Sequence, residues 1–196
     1  GGVGVLAVVL VLALQAGDMA RMDYDFLYDE VRHLLAIGYN VNERRRDTGY
    51  YDLLASEARL AVFVAIAQGQ LPQQSWFALG RLLTNAGSGP TLVSWSGSMF
   101  EYLMPLLVMP PRPFSLLDQT CHSAVQRHVA YGRMHGVPWG ISESAYNVRD
   151  RHGTYQYRAF GVPDLALKRG LSSDLVVAPC ATALAMAVDA HEALGN

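Results

Sequence analysis

The chain has 196 residues, of which 51% are hydrophobic and 16% are charged, with a formal net charge of −2. This is a globular composition, and the length suits one domain or a large piece of a bigger one. It gives no support for nucleic-acid binding, because the only basic run is Arg44-Arg45-Arg46, which is interpreted as a solvated helix end or loop. Cys121 and Cys180 stand far apart without zinc-site spacing and are interpreted as buried, reduced side chains, so no metal or cofactor is predicted.

The first segment, residues 1–18, differs from the rest of the chain. Residues 1–16 carry no charge and are almost entirely apolar, yet they fall short of the ~20 residues that a membrane span needs. They also lack the basic start of a signal peptide. We predict a helix buried on all sides, with a truncated membrane segment or a sequence artefact as alternatives. Residues 19–196 form the predicted domain.

The remaining elements are predicted mostly as helices joined by long loops. Residues 38–49 and 136–172 lack helical periodicity, residues 91–97 are predicted to be extended, and 151–154 suits a hairpin turn. Loops of this length inside a compact domain are usually functional. The predicted helices, in chain order, cover residues 25–37, 50–68, 73–85, 98–108, 116–135 and 179–194.

Three glutamates stand in stretches that are otherwise rich in rings and small residues. Glu143 is the only charge between residues 133 and 149, and Glu101 is the only charge between residues 81 and 112. Glu57 interrupts the apolar face of the helix predicted over 50–68. A carboxylate in such surroundings is costly unless it is hydrogen-bonded or used chemically. Together the three indicate acid/base chemistry on a polar, ring-shaped substrate, and a sugar fits best.

Each glutamate also has a purely structural interpretation. Glu57 could form a buried ion pair with Arg59 or Arg158, and Glu101 could stabilise the start of a helix capped by Ser98. A purely structural role is least well supported for Glu143, because its segment PWGISESAYN is too rich in Gly, Ser and Pro for a regular helix.

Other chemistries are less well supported. The segment 140–144, GISES, starts like a nucleophile elbow but lacks the closing glycine. The six histidines form no metal-ligand motif, and the lone GSG at 87–89 has no lysine of a phosphate-binding loop after it.

Long motifs in a fixed order resemble the glycoamylase-like domain of bacterial cyclic β-1,2-glucan synthases, which is related to endo-β-1,2-glucanases. The match covers roughly residues 19–190, including DFLYD at 25–29 and IGYN at 37–40. The motifs that carry it are YYDLLASEARL (50–60), SWSGSMFEYLMP (94–105), PWGISESAYN (138–147) and YQYRAFGVP (155–163).

The resemblance implies an all-α (α/α)6 toroid, of which six or seven helices could supply only an incomplete part. It implies retaining transglycosylation that closes linear β-1,2-glucan into a ring, with Glu143 as nucleophile and Glu57 as general acid/base. Retaining enzymes usually place the two carboxyls ~5–5.5 Å apart, but the related glucanases pass the proton through a substrate hydroxyl. Partners would be β-1,2-glucan and the glycosyltransferase and phosphorylase-like domains of a parent synthase in the bacterial inner membrane, with this domain soluble and cytoplasmic. The substrate-binding candidates are Glu101, Trp95, Tyr102, Trp139, Tyr146, Asn147, Tyr155 and Arg158.

Two other functions stay open at this point. One is hydrolysis, by a glucoamylase-type exo-acting α-glucosidase or an endo-glucanase. The other is a non-catalytic segment that holds substrate inside a larger synthase.

Overall fold

The computed structural model describes residues 2–85, 87 and 89–196, and the side chains of these except residues 2, 3 and 56. The chain divides into two compact units. The first comprises Gly1–Tyr51 and Arg59–Leu79, and the second comprises Asp52–Ala58 and Gly80–Asn196.

Helices and short strands alternate along the described chain. The helices are α1 Gly2–Met19, α2 Ser56–Ala67, α3 Gln74–Ala78, α4 Met99–Leu103, α5 Leu116–His135, α6 Pro179–Ala185 and α7 Ala190–Leu194. Single 3-10 turns cover Met104–Leu107, Pro163–Leu165 and Leu171–Ser173. The strands are β1 Tyr28–Asp29, β2 Leu34–Leu35, β3 Tyr39–Asn40, β4 Arg45–Arg46, β5 Leu83–Asn85, β6 Pro90–Leu92, β7 Ser144–Arg149 and β8 Tyr155–Arg158.

The prediction of an all-α toroid is wrong for this chain. About 42% of it is helical and 17% is strand, and in the described part the strands form four separate two-stranded antiparallel sheets. Each sheet joins strands that are neighbours in sequence. The physical reason is local: the segments between the helices satisfy their backbone groups by pairing across tight turns, instead of adding helical turns.

Helix α1 forms where the apolar composition predicts a helix, but its side chains are exposed. Val5, Leu6 and Leu14 show 65%, 62% and 70% of their surface to solvent. The prediction that this helix is buried on all sides is therefore wrong for the described residues of this chain. No helix among those residues has the length and apolarity to cross a membrane.

The helix predicted over residues 25–37 is wrong, because side-chain hydrogen bonds hold this segment in turns. Asp29 Oδ1 accepts the backbone N–H groups of Val31 and Arg32, both at 3.0 Å. Its Oδ2 accepts the hydroxyl of Tyr50 at 2.6 Å. These bonds compete with the helical backbone pattern. Tyr28–Asp29 then pairs with Leu34–Leu35.

The second unit packs around Tyr102, which is fully buried at 0% exposure. Its hydroxyl shares one proton between the carbonyls of Leu92, at 2.9 Å, and Leu165, at 3.1 Å, and accepts the N–H of Ser94 at 3.2 Å. One ring thus ties strand β6, helix α4 and the Pro163–Leu165 turn together. This is the satisfied hydrogen-bonding pattern that a buried polar group needs.

Helix α5 is confirmed with its predicted bounds. Ser115 caps its start by accepting the N–H of Asp118 at 3.3 Å, and Gly136 ends it with a φ of 64°. The prediction over 98–108 is also largely confirmed, as α4 followed by a 3-10 turn. Two predicted helices are shorter than expected: the one over 73–85 stops at Ala78, and the one over 179–194 breaks after Ala185.

Candidate active site

Serine side chains from residues 94–98, here called the serine nest, surround the carboxylate of Glu101 at the start of α4. Its Oε2 accepts the hydroxyls of Ser94, Ser96 and Ser98, at 2.9, 2.6 and 3.1 Å, and the N–H of Ser98 at 3.1 Å. Ser98 Oγ in turn accepts the N–H of Glu101, which completes a capping box. The structural interpretation of Glu101 is therefore supported. Its carboxylate organises the 94–98 loop and has little hydrogen-bonding capacity left on Oε2 for a substrate.

Glu143 has a different environment. It is half-buried, immediately before β7, and its Oε2 accepts the hydroxyl of Tyr157 at 2.9 Å. Its other oxygen, Oε1, makes no hydrogen bond to any residue that the structure describes. One oxygen is oriented by Tyr157, and the other keeps its lone pairs available to a ligand.

The β7–β8 hairpin explains why Glu143 meets Tyr157. In this hairpin Ala145 pairs with Tyr157, so residues 143, 145 and 157 lie on one face of the ribbon. The turn predicted at 151–154 is confirmed. Asp150 Oδ1 accepts the N–H groups of His152 and Thr154, at 2.8 and 3.0 Å. Partial burial, followed by the hydrogen bond to Glu143, raises the pKa of Tyr157, which keeps it a neutral donor.

Glu101 and Glu143 lie in segments that are bonded to each other. The N–H of Met99 donates to the carbonyl of Ile141 at 2.9 Å, and the N–H of Phe100 donates to Ser142 Oγ at 3.2 Å. The residues next to both glutamates are therefore linked directly. The first turn of helix α4 thus supports the segment that carries Glu143.

Glu57 is the second residue of α2 and is exposed. The prediction that it lies on the apolar face of a helix from residue 50 is wrong, because the helix begins only at Ser56. Asp52 Oδ1 accepts the N–H groups of Leu54 and Ala55, at 2.8 and 3.1 Å, and so holds these residues in a turn before the helix. Glu57 therefore projects from the first turn of α2 instead of from a buried stripe.

Asp52 is a carboxylate that the sequence analysis did not select. Burial raises its pKa, and the negative charge of Glu101 raises it further, against the opposing hydrogen bonds from Leu54 and Ala55. Asp52 therefore lies within electrostatic range of Glu101 in the same unit. The sequence signal was present, since Asp52 stands four residues before the helix that begins at Ser56, where a side chain can capture free N–H groups.

Two of the aromatic substrate-binding candidates are inside the protein. Tyr102 is fully buried, as described above, and Trp139 shows only 5% of its surface. A sugar ring cannot reach either of them in this structure. Both act as core residues that hold the loops bearing Glu101 and Glu143.

The other candidates are accessible to different degrees. Trp95 is 63% exposed, because Ser94 and Ser96 on either side turn inward to Glu101. Tyr146 packs edge-to-face on Phe160 with ring centroids 5.0 Å apart. Asn147 is exposed on β7, and Tyr155 is 49% exposed with the Arg149 guanidinium over its ring. Arg158 pairs with Asp174 at 2.6 Å, and not with Glu143.

His128 on α5 links the 94–98 loop to the segment just before Glu143. Its Nδ1 accepts the N–H of Ile141 at 3.3 Å, so Nε2 carries the proton and donates to the carbonyl of Gly97 at 3.1 Å. The ring is 1% exposed. Burial lowers the pKa of His128 to about 4, and the charge of Arg127 lowers it too, against the raising effect of the bond to Gly97. The neutral ring can make both hydrogen bonds, whereas a charged ring would carry a proton on Nδ1 and could not accept the N–H of Ile141.

We expect this histidine to make stability depend on pH in a defined window. Between its ordinary value of 6.5 and about 4, the unfolded chain binds a proton that the folded chain does not. Stability from this group is therefore complete above pH 6.5 and falls as the pH drops towards 4, by about 3 kcal/mol at ~1.4 kcal/mol per pKa unit. Urea unfolding at intervals across this range measures it. A His128→Gln variant that keeps the same pH slope would contradict the assignment.

The described residues contain no group of three or more His, Cys, Asp or Glu side chains that could hold a metal ion. Cys121 is buried as predicted, whereas Cys180 is exposed. Tyr157 was missed as a partner of Glu143. The signal that could have found it is its alternation with Tyr155 after the turn, which sets the face of each side chain.

The family model Glycoamylase, described as "Putative glucoamylase", matches residues 49–196. The chain is 53% identical over 189 residues to the cyclic beta-(1,2)-glucan synthase NdvB of Rhizobium meliloti (strain 1021). This match covers 96% of the chain and 7% of that synthase, so the chain spans a small fraction of the relative's length. The predicted resemblance to these synthases is confirmed.

Proposed function

Because the chain belongs to the glycoamylase family, we propose that it is the part of a cyclic β-1,2-glucan synthase that converts linear β-1,2-glucan into a ring by retaining transglycosylation. The family membership and the match to a cyclic β-1,2-glucan synthase support carbohydrate chemistry. The substrate and the reaction are our proposal.

The contrast between Glu143 and Glu101 carries the assignment of the nucleophile. Oε2 of Glu101 is held by three serine hydroxyls, whereas Glu143 has one oxygen oriented by Tyr157 and one oxygen open. A carboxylate must present a lone pair to the anomeric carbon in order to form a glycosyl-enzyme. Oε1 of Glu143 accepts no hydrogen bond among the described residues, whereas Oε1 of Glu101 accepts the N–H of Ser96 at 3.2 Å, so Glu143 is the less constrained carboxylate.

In the first half-reaction, Glu143 attacks the anomeric carbon while Glu57 donates a proton to the leaving oxygen, directly or through a substrate hydroxyl. The glycosidic bond breaks, a covalent glycosyl-enzyme forms, and the released part of the chain leaves with the proton. The exposed position of Glu57 in the first turn of α2 leaves it accessible to a large substrate.

In the second half-reaction, the 2-hydroxyl at the non-reducing end of the bound glucan attacks the glycosyl-enzyme. Glu57 accepts the hydroxyl proton, Glu143 leaves as a carboxylate, and the ring closes. Water attacking in place of this hydroxyl would give hydrolysis, so exclusion of water from the acceptor position decides the product. We propose that Trp95, exposed on the 94–98 loop, and Tyr146, half-buried on β7, stack on the sugar.

This role belongs to a larger protein. Since the chain matches only 7% of the synthase NdvB, we propose that a glycosyltransferase domain supplies the linear glucan and a phosphorylase-like domain trims it, in the bacterial inner membrane. This domain would act on the cytoplasmic side.

The test is to incubate the chain with linear β-1,2-glucan and, in parallel, with maltodextrin. We expect products from the β-1,2-glucan that weigh one water molecule less than linear glucans of the same length, and no change in maltodextrin. Mass spectrometry measures the products, and a reducing-end assay detects hydrolysis. Binding of β-1,2-glucan in calorimetry without any cleavage would contradict a catalytic role and indicate a substrate-holding segment.

A second candidate, glucoamylase-type hydrolysis, has one specific observation in its favour, which is the glucoamylase description of the matching family model. It predicts release of glucose from maltodextrin and no reaction with β-1,2-glucan. The same pair of incubations therefore separates the two functions.

A further inference from the structure

A cavity of about 570 Å³ lies within the first unit. It is lined by the DFLYD segment, which includes β1, and by the β3–β4 hairpin. Its volume falls inside the ~300–1,000 Å³ range of small-molecule sites. The chemistry proposed above uses none of these residues.

The wall of this cavity is held rigidly by Asp29. That side chain is 11% exposed and accepts four hydrogen bonds, including those from Tyr50 at 2.6 Å and Arg32 at 2.9 Å. The bond from Tyr50, followed by those from Arg32, holds the pKa of Asp29 well below its usual range. The carboxylate of Asp29 is thus fully hydrogen-bonded within the protein. It positions its neighbours and does not itself bind a ligand.

The lining combines aromatic rings with charges of both signs. Phe26 and Tyr39 meet edge-to-face with centroids 5.5 Å apart, and Phe26 is 49% exposed. Glu30 and Arg44 also line the cavity, and their side chains make no hydrogen bond or ion pair within the part of the chain that the structure describes. Unused acceptors and donors beside an open ring suit a neutral molecule that carries many hydroxyls. The charges of the lining nearly balance, so they favour neither a strongly anionic nor a strongly cationic ligand; the charged lining residues are Asp25, Asp29, Glu30, Arg44 and Arg46.

We propose that this cavity binds a short neutral stretch of glucan without cleaving it, as a holding site in addition to the acidic loops. The ring of Phe26 would stack on one sugar face, while Glu30 accepts from sugar hydroxyls and Arg44 donates to them. The glucan identity rests on the function proposed above. The preference for a neutral saccharide rests on the lining alone.

The experiment is calorimetric titration of the chain with linear β-1,2-gluco-oligosaccharides. Phe26→Ala is expected to weaken binding about five- to tenfold, because an aromatic contact is lost. Glu30→Gln should weaken it severalfold. The matched controls are Val41→Ala and Glu43→Gln, which change exposed residues near the cavity that do not line it, and they should bind as the wild type does.

The outcomes separate this proposal from the proposed function. Unchanged affinity in both Phe26→Ala and Glu30→Gln would overturn the holding site, even if the chain still makes rings. Loss of affinity in these variants in a chain that never cleaves β-1,2-glucan would support the holding site and overturn the catalytic proposal. Tighter binding of an anionic oligosaccharide of equal length, or no binding of neutral glucan by the wild type, would overturn the assignment of a neutral ligand.

Discussion

Glu143→Gln is expected to abolish ring formation, with a fall in rate of about a thousandfold or more. The amide has nearly the same shape as the carboxylate and its oxygen can still accept the hydroxyl of Tyr157, now 2.9 Å from Oε2. It cannot, however, attack the anomeric carbon and leave again as an anion. The measurement is the initial rate of cyclic glucan production by mass spectrometry, with binding of linear glucan followed in parallel.

Glu43→Gln is the control, because Glu43 is exposed and pairs only with Arg45 among the ion pairs of the described chain. It should retain the wild-type rate. A Glu143→Gln variant that keeps more than about a tenth of the wild-type rate would remove Glu143 from the nucleophile role.

The roles of the two glutamates can be separated in a Glu57→Gln variant treated with an activated glucosyl donor. Sugar trapped on the peptide that contains Glu143 supports the assignment, and sugar trapped elsewhere contradicts it.

Gly161→Ala is expected to destabilise the second unit by about 3 kcal/mol or more. A Cβ atom at this position would lie 1.8 Å from the carbonyl oxygen of Ser96 and 2.6 Å from the carbonyl carbon of Gly97. Both neighbours are backbone, so no side-chain rotation can relieve the overlap. The 94–98 loop would have to move, and the serine nest around Glu101 with it. Urea unfolding of the chain measures the loss, and ring formation should fall as well.

Gly195→Ala is a matched change in the same unit. Its Cβ would lie 3.5 Å from the carbonyl oxygen of His191, which is an ordinary contact. Stability should therefore stay within about 0.5 kcal/mol of the wild type, as for most surface substitutions. If Gly161→Ala unfolds at the same urea concentration as Gly195→Ala, the close approach of Gly161 to Ser96 is not tight in solution.

The elements that the sequence predicted correctly are those with signals at both ends. Helix α5 has a serine cap at residue 115 and a glycine stop at residue 136, and its bounds are those predicted. The hairpin at 151–154 has Asp150 and Gly153 in positions that a turn requires. Local chemistry decided these elements, so local sequence was sufficient.

The predictions that failed depended on partners that lie outside the predicted helices. The sequence predicts a helix through Asp29, but Tyr50, 21 residues away, donates a hydrogen bond to its carboxylate. The sequence predicts a helix that ends at residue 85, but residues 83–85 pair with residues 90–92 as strands. Helical periodicity cannot reveal such partners, because a side chain or strand that arrives from elsewhere can overrule local preference.

For the acidic residues, too, the sequence revealed local signals and did not reveal partners from other segments. Glu101 was recognised both as a helix-start residue and as a site candidate, and the serine nest favours the first interpretation. The isolation of Glu143 in the sequence singled it out, and the structure adds the donor Tyr157. The role of Tyr102 could not be deduced from sequence, because its hydroxyl bonds to Leu165, 63 residues later. Its aromatic character suggested stacking on a sugar, whereas burial makes it part of the core.

The β7–β8 hairpin has a consequence for the order of folding. Glu143 and Tyr157 are 14 residues apart, and the serines that surround Glu101 are three to seven residues from it. Closing such short loops costs little chain entropy, and isolated hairpins form within ~1–10 μs. Tyr102 and His128, whose bonds reach 63 and 31 residues along the chain, then dock the two pieces on each other. We therefore expect each acidic group to acquire its immediate neighbours early, and the spacing between the two groups to be set late, by the core.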